Sequence, residues 1–292
     1  MVGNWAIRRA EPGIEPIRLE AVDDHGGVIG RAWARQDDVP DPSVYRVDIT
    51  VEEGFRRQGA GSMLMLELLR EAAGHSATSV RMRIPGTEWA GLAFAHHRGF
   101  SETHRMIHSV LRVTDVDPLR AQITLEQAHS QGIAISTLAD GLERDPHCLD
   151  RLHDLVGAVV GDIPGEDGAG PLGGEEFRRL YVDDPALIPE AYFLARLGER
   201  YVGISCLRHV EQPGVIEQGL SGVRREYRNR GIARTLKRQA IDYALRNGYT
   251  WVHATNHSTN TAMLEINYSL GFVPESEEVH LERLLLRANL RT

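Results

Sequence analysis

"VRREYRNRGIA", residues 223–233, repeats an earlier stretch, "VEEGFRRQGAG", residues 51–61. Val51 matches Val223, Phe55 matches Tyr227, Arg56 matches Arg228 and Gly59 matches Gly231, each pair 172 residues apart. Further on, "RGF" at 98–100 and "LGF" at 270–272 keep the same 172-residue spacing. A single Arg-x-x-Gly-x-Gly/Ala arises by chance. Two copies that hold one spacing through a strand, a turn, a helix, a strand and a second helix mark a duplicated domain.

The patterns around each copy agree. The first reads as strands "WAIRRA", "IRLEAV", "VIGRAWAR" and "YRVDITV", then a helix over 59–74 with Met63, Leu64, Leu66, Leu68 and Leu69. Strand "SVRMRI", a helix over 88–97 and strands across 102–113 follow. The second reads as strand "IAISTL", a helix over 145–160, a glycine- and acid-rich loop and a short helix near 175–182. Strands 191–197, 200–209 and 215–223 lead to a helix over 231–246, which carries Ile232, Leu236, Ala240, Ile241 and Ala244 on one side. Asn247-Gly248 stops that helix, and strand 249–255, helix 260–269 and a last strand near 279–286 complete the copy. The expected division is a domain over 1–115, a linker over 116–131 and a domain over 132–292. The expected class is α+β, each domain a mixed, mostly antiparallel twisted sheet flanked by helices.

Composition narrows the chemistry. With 42% hydrophobic and 25% charged residues the chain reads as ordinary soluble protein. A net charge of −8 argues against a nucleic-acid binder, whose surface is normally basic. Lys237 is the sole lysine among the basic residues, which reads as the codon bias of a GC-rich genome. Cys148 and Cys206 are too few for a disulfide framework and read as reduced, buried thiols. "MVGNWAIRRAEPG" lacks the order of a secretory leader, and no apolar run reaches the roughly 18–20 residues of a membrane span. A cytoplasmic protein without membrane partners is expected, and a homodimer is left open. "HH" at 96–97 has no carboxylate or cysteine beside it, so no metal site is expected.

The glycine turns carry the first functional signal. A helix N-terminus presents unpaired N–H groups and the positive end of the dipole. Gly231 and Ala233 let an anion approach those groups closely, and Arg224, Arg225, Arg228 and Arg230 surround them. No Gly-Lys-Ser/Thr follows, which excludes the nucleotide-triphosphate loop, and the G-x-G-x-x-G order of dinucleotide folds is absent. The pattern therefore reads as a pyrophosphate cradle.

A strand ending in Val, then R-x-x-G-x-G/A, a helix, a strand, an Asn-rich helix and "GF", all twice, resembles the GNAT acyltransferase superfamily. The layout is similar to tandem members such as mycothiol synthase. The resemblance spans residues 5–113 and 132–287. It implies that the cradle holds the pyrophosphate of acetyl-CoA and that the pantetheine arm lies between two splayed strands like an added strand. On this chain the cofactor residues would be Ser221, Gly222 and Val223 on the strand, then Arg228, Asn229, Arg230, Gly231, Ile232, Ala233 and Arg234. Asn256 and Asn260, near the start of the last helix in "ATNHSTNTAML", would join them. The first copy offers Val51, Arg56, Arg57, Gln58, Gly59, Ala60 and Gly61, an intact cradle that is either a second acetyl-CoA site or a structural remnant.

Three features direct catalysis to the second copy. Six residues before the strand-ending Val it has Glu217, where the first copy has Tyr45. By alternation Glu217, Gly219, Ser221 and Val223 are expected on one face, and the resemblance gives the Glu217 position the general-base glutamate of histone-acetylating relatives. The family's two acceptor-wall helices fit 145–182, whereas the first copy has only "EPGIEP", residues 11–16, an abridged acceptor region. The resemblance also places a Tyr acid four residues before the Gly of "GF". That position is Asn267 here, with Tyr268 next to it, about 100° round the helix. The expected activity is transfer of an acetyl group from acetyl-CoA to a primary amine of a small molecule, directly within a ternary complex. The alternative is a non-catalytic acyl-CoA-binding or scaffolding tandem protein. The acidic loop over 162–176 lies at the expected acceptor entrance and suits a cationic amine.

Overall fold

The structure is a computed structural model that describes residues 5–9, 17–37, 41–116, 119–163 and 172–285. Two compact units form. One comprises residues 1–105 and 277–292, the other residues 106–276.

In the first unit β1 (Trp5–Arg9), β2 (Ile17–Asp23), β3 (Val28–Gln36) and β4 (Val44–Val51) form an antiparallel meander. Helix α1 (Ala60–Gly74) then packs Leu64, Met65, Leu68 and Leu69 onto that sheet, at the spacing that lets one helix face bury its apolar residues. Strand β5 (Ser79–Pro85) returns parallel to β4, and α2 (Trp89–His96) follows. Residues 11–16, the abridged acceptor region, lie outside the described residues.

Strand β6 (Ser101–Arg112) passes from the first unit into the second, where its end pairs antiparallel with a later strand. Helix α3 (Leu119–Ser130) and β7 (Ile133–Thr137) come next. Three helices, α4 (Leu138–Arg144), α5 (Cys148–Val160) and α6 (Gly174–Tyr181), precede β8 (Leu187–Leu197), β9 (Arg200–His209) and β10 (Val215–Val223). Helix α7 (Ile232–Arg246), β11 (Trp251–His257), α8 (Thr261–Leu270) and β12 (Val273–Leu284) end the described chain. Helix α4 is started by a capping box, Thr137 with Asp140.

The division expected at 115 and 132 is therefore corrected. The strand that closes each sheet comes from the other half of the chain. In the first unit β12 pairs antiparallel with β5, Val279 opposite Ile84. In the second β6 pairs antiparallel with β11, Leu111 opposite Val252. Both closing strands follow a Gly-Phe turn and both are 12 residues long, so local pattern cannot say which sheet each joins. The expected linker is also corrected. Its residues form α3, which packs on α7 within the second unit, where the Thr235 hydroxyl bonds the Thr124 carbonyl oxygen at 3.3 Å.

The second unit's sheet, in the order β6-β11-β10-β9-β8-β7, has apolar layers on both faces. On one face lie α7 residues Ile232, Leu236, Ala240 and Ile241 with Leu207, Val223 and Ala254. On the other lie α5 residues Leu152, Leu155, Val156 and Val159 with Ile204 and Cys206. Two glycines are dictated by this second layer. A Cβ at Gly222 would stand 2.3 Å from Val159 Cγ1, and one at Gly219 would stand 2.7 Å from Cys206 Sγ. Gly222→Ala is thus an overpacking change and should destabilise the fold by about 1–3 kcal/mol in denaturant unfolding. Val159→Ala in the same chain should restore part of that loss. A double variant no more stable than Gly222→Ala alone would refute this account of the contact.

Candidate active site

The site is built around one irregularity in β10. In the second unit β9 and β10 pair Glu217 with Arg208 and Gln218 with Leu207, then shift so that Ser221 faces Ser205 and Val223 faces Gly203. From Glu217 to Val223 is six steps, and from Arg208 to Gly203 only five, so Gly219 and Leu220 form a bulge opposite Cys206. In the first unit the matching span, Tyr45 to Val51 against Gln36 to Gly30, is six steps on both strands and has no shift.

The bulge corrects the expected face of Glu217. Cross-strand partners share a face, so Glu217 lies with Arg208 and, through Gly219, with Cys206 on the α5 side. Ser221 and Val223 lie on the α7 side, where the Ser221 and Ser205 hydroxyls meet at 3.0 Å. Tyr45, at the equivalent distance from its own strand end, keeps the unshifted parity and is buried in the first unit's core. Glu217 is half-buried, and among the described residues its carboxylate has no hydrogen bond or ion pair. Arg208 opposite is already held by Asp184 at 3.0 Å, so it is not a fixed partner for Glu217.

The second feature is an opening. β10 and β11 run parallel and pair from Val215↔Trp251 to Gln218↔Ala254, after which β10 continues to Val223 and β11 to His257. Beyond Gln218, the β10 backbone groups on that edge have no ladder partner on β11 and face the space between the strands.

The third is the turn. Asn229 and Gly231 have φ of 62° and 79°, and Arg57 and Gly59 have 62° and 99° at the matching places in the first unit. Left-handed residues at these two steps aim successive N–H groups toward one point. Each is preceded by a 3-10 turn, Arg225–Tyr227 or Glu53–Phe55, and each following helix starts without a side-chain cap. Even the arginine after the 3-10 turn repeats its role: Arg228 Nε donates to the Val223 carbonyl at 3.1 Å, and Arg56 Nε to the Val51 carbonyl at 3.0 Å.

The two turns differ in what lies above them. Nothing comes within 4 Å of a Cβ placed on Gly231, whereas Trp5 stands 3.5 Å from one on Gly59. Phe94 comes within 3.3 Å of a Cβ on Gly61, and the Arg98 guanidinium stacks on Phe94 at 3.6 Å. The "HH" pair of the first unit is structural, with His96 and His97 Nδ1 against the carbonyls of Phe100 and Ala93.

The arginine ring around Gly231 does less for an anion than its sequence suggests. Arg224 is 4% exposed, with Nε on the Tyr201 carbonyl and its guanidinium on Asp154. Arg225 and Arg228 both reach Asp162, at the end of α5. Arg230 lies over the Tyr227 ring at 5.4 Å, and it and Arg234 are exposed beside the turn.

At the start of α8, Asn260 caps the helix, its Oδ1 accepting from Met263 N–H at 3.3 Å. Asn256 Oδ1 accepts from Asn267 Nδ2 at 2.7 Å. Both oxygens are thereby occupied, which leaves the two amide NH₂ groups as donors. Asn267 is wholly buried; an amide without a titratable proton, it positions Asn256 and is no acid. Tyr268 is 42% exposed on the outer side of α8.

Residue matches then decide the family. The profile of the acetyltransferase (GNAT) family matches residues 5–100 and again 170–272, more than half of the chain. The chain belongs to the GNAT family. Among solved structures, a GCN5-related N-acetyltransferase from Sphaerobacter thermophilus shares the fold with TM-score 0.69 and 18% identity over 91% of this chain and 80% of that one. A tandem GNAT protein from the clavulanic acid biosynthesis pathway matches with TM-score 0.62 and 19% identity over 94% and 85%. A GCN5-related N-acetyltransferase from Kribbella flavida gives TM-score 0.52 and 19% identity over 87% and 86%. No curated protein sequence matches. The chain is thus an α+β tandem GNAT protein of a family of acyltransferases. Among the described residues, no helix is long and apolar enough to cross a membrane.

Two GNAT-domain residues were not singled out as site residues by the sequence. Gln218, at the last paired position of β10, is 8% exposed and donates to Ser205 Oγ at 3.0 Å and to the Cys206 carbonyl at 2.8 Å. Lys237, on the core face of α7, is 1% exposed, and burial in apolar surroundings brings its amine down to about 7. The 172-residue spacing could have flagged it, because its counterpart is Met65.

Proposed function

We propose that the second unit transfers an acetyl group from acetyl-CoA to the primary amine of a small molecule, directly within a ternary complex. The observation that carries this reading is the meeting, in one unit, of an open strand pair, an unobstructed turn at Gly231 and an unpartnered Glu217 on the α5 side. The pyrophosphate would sit on the N–H groups of Ile232, Ala233 and Arg234, with Asn229, Arg230 and Gly231 shaping the turn. The pantetheine arm would enter between β10 and β11 and bond the free edge from Ser221 to Val223 as an added strand. Asn256 and Asn260 would offer their NH₂ groups from the other side.

The amine must lose its proton before it can attack the thioester carbon. Glu217, a carboxylate on the face where α4, α5 and α6 form the acceptor wall, would take that proton directly or through one water. N–H groups near the bulge would stabilise the oxyanion of the tetrahedral intermediate. The intermediate then expels the thiolate, a tolerable leaving group since a thiol ionises near ~8.5. Neither Asn267 nor Tyr268 is needed as an acid in this scheme.

For the first unit, a non-catalytic role is favoured by a specific observation. It keeps the left-handed turn, yet Tyr45 is buried where the second unit has Glu217, and Trp5 and Phe94 crowd the glycines. Calorimetric titration of acetyl-CoA into the full chain tests both statements, with one site expected. Two sites would show that Arg56, Arg57, Gln58, Gly59, Ala60 and Gly61 still bind the cofactor despite the crowding. No heat and no thermal shift at millimolar acetyl-CoA would sink the enzyme reading.

A further inference from the structure

The ladder between β10 and β11 ends in two rungs that face opposite ways. At the last, Gln218↔Ala254, the side chains turn to the α7 side, where Ala254 joins the core layer with Ile216 and Val252. The rung before it, Glu217↔His253, therefore turns to the α5 side and is the last on that side before the strands part. Glu217 stands on one strand of the opening and His253 on the other, their backbones about 4.8 Å apart as in any adjacent strands. The first unit lacks this rung. At the 172-residue offset the matching residues are Tyr45 and Arg81, but there Tyr45 pairs with Val80 and Arg81 with Arg46. Tyr45 lies in the core, whereas Arg81 reaches Asp37 and Glu282 from the other face.

The neighbours of this rung are already engaged. On β9, Arg208 is held by Asp184 at 3.0 Å. Along β11, Trp251, His253, Thr255 and His257 share the α5 side. The Thr255 hydroxyl meets Nδ1 of His108, its partner on β6, at 3.0 Å, and Nδ1 of His257 meets the Thr259 hydroxyl at 2.7 Å. The β6 partner of His253 is Val110, which offers its ring nothing polar. His253 is half-buried and, among the described residues, has no hydrogen bond, ion pair or ring contact. Nor does an ion pair join it to Glu217, so a reacting nitrogen or a water can stand between the two. Two side chains able to carry a proton are thus left free, side by side, where the opening meets the acceptor face.

Acyl transfer to an ammonium group removes two protons from its nitrogen. The first departure frees the lone pair, and the second follows formation of the N–C bond. Glu217 takes the first. We propose that His253 is a further catalytic residue that carries the second: its imidazole accepts the proton from the nitrogen of the tetrahedral intermediate and delivers one to the CoA sulfur as the C–S bond breaks. This rests on the reading of Glu217 and of the opening given above. The electron pair of the C–S bond leaves with sulfur, and the amide and the CoA thiol both emerge neutral. The proton held by Glu217 passes to water before the next turnover. An imidazole suits the step because one ring nitrogen accepts while the other donates. It also fills a role that the last helix leaves open, since Asn267 has no proton to give and Tyr268 lies on the outer side of α8.

The test is release of CoA thiol from acetyl-CoA by the full chain, with spermidine, tyramine and glucosamine as trial amines. His253→Ala is expected to lower kcat by about 10²-fold or more. Its acetyl-CoA affinity by calorimetry and its melting temperature should match the parent, because the ring bonds nothing. Added imidazole should restore part of the lost rate in His253→Ala and give nothing to the parent or to Glu217→Gln. His253→Asn keeps a polar side chain of similar reach but carries no proton, so it should be as slow as His253→Ala. If His253→Ala turns over like the parent, or is slow without responding to imidazole while His253→Asn is active, the inference is wrong and the Glu217 reading stands. If His253→Ala is rescued by imidazole but Glu217→Gln turns over at the parental rate, the two-carrier scheme falls together with the base assignment of Glu217. If the parent releases no thiol with any of the three amines, the enzyme reading and this inference fail together.

Discussion

Glu217→Gln should lower kcat by about 10²–10⁴-fold, with KM for the amine changed little. The amide keeps the size and hydrogen-bonding reach of the carboxylate but cannot accept a proton. The structure makes this an economical test, because the Glu217 carboxylate has no ion pair to break among the described residues. Its loss should therefore leave the melting temperature nearly unchanged. Acetyl-CoA affinity should also persist, since the turn at Gly231 and the opening between β10 and β11 do not involve this side chain. A variant that turns over at the parental rate at neutral pH would remove Glu217 from the mechanism and leave only the cradle assignment.

Gly231→Glu should weaken acetyl-CoA binding by about a hundredfold or more. Gly231 sits at φ 79°, a conformation that costs an ordinary residue roughly 1–2 kcal/mol. The open space above it lets the new carboxylate project toward the place the phosphates would take. A negative charge at an uncapped helix start is attractive to the helix, so the substitution opposes the ligand more than the fold. The companion change Gly59→Glu, in the first unit, should leave the main binding isotherm unaltered. Equal affinity for acetyl-CoA in Gly231→Glu and the parent would place the pyrophosphate elsewhere. If Gly59→Glu rather than Gly231→Glu abolished binding, the functional ranking of the two units would be reversed.

Much of this arrangement is written locally in the chain. The two left-handed turns follow from Arg57-x-Gly59 and Asn229-x-Gly231, because glycine takes positive φ freely and Asn tolerates it. Helix α7 follows from the 3.6-residue spacing of Ile232, Leu236, Ala240 and Ala244, and ends where Gly248 turns left-handed at φ 78°. Each of these depends on residues within a few positions of one another, so it can be read without knowing the rest of the molecule.

Other features needed partners far along the chain. The exchange of closing strands depends on which distant strand each of β6 and β12 pairs with, and both follow Gly-Phe. The face of Glu217 depends on its register with β9, which is one step shorter than β10 across the bulge. Because side chains alternate with period two, that single step moved Glu217 away from Ser221 and toward the acceptor wall. Asp162 drew Arg225 and Arg228 away from the anion reading, although it lies 63 and 66 residues from them. Lys237 read as codon bias until α7 was folded onto its sheet, where the amine became a buried group without a counter-ion. Local backbone preference and periodicity were enough to determine the duplication, the turns and the helices. Strand register and burial, which arise only between distant segments, decided which side chains meet.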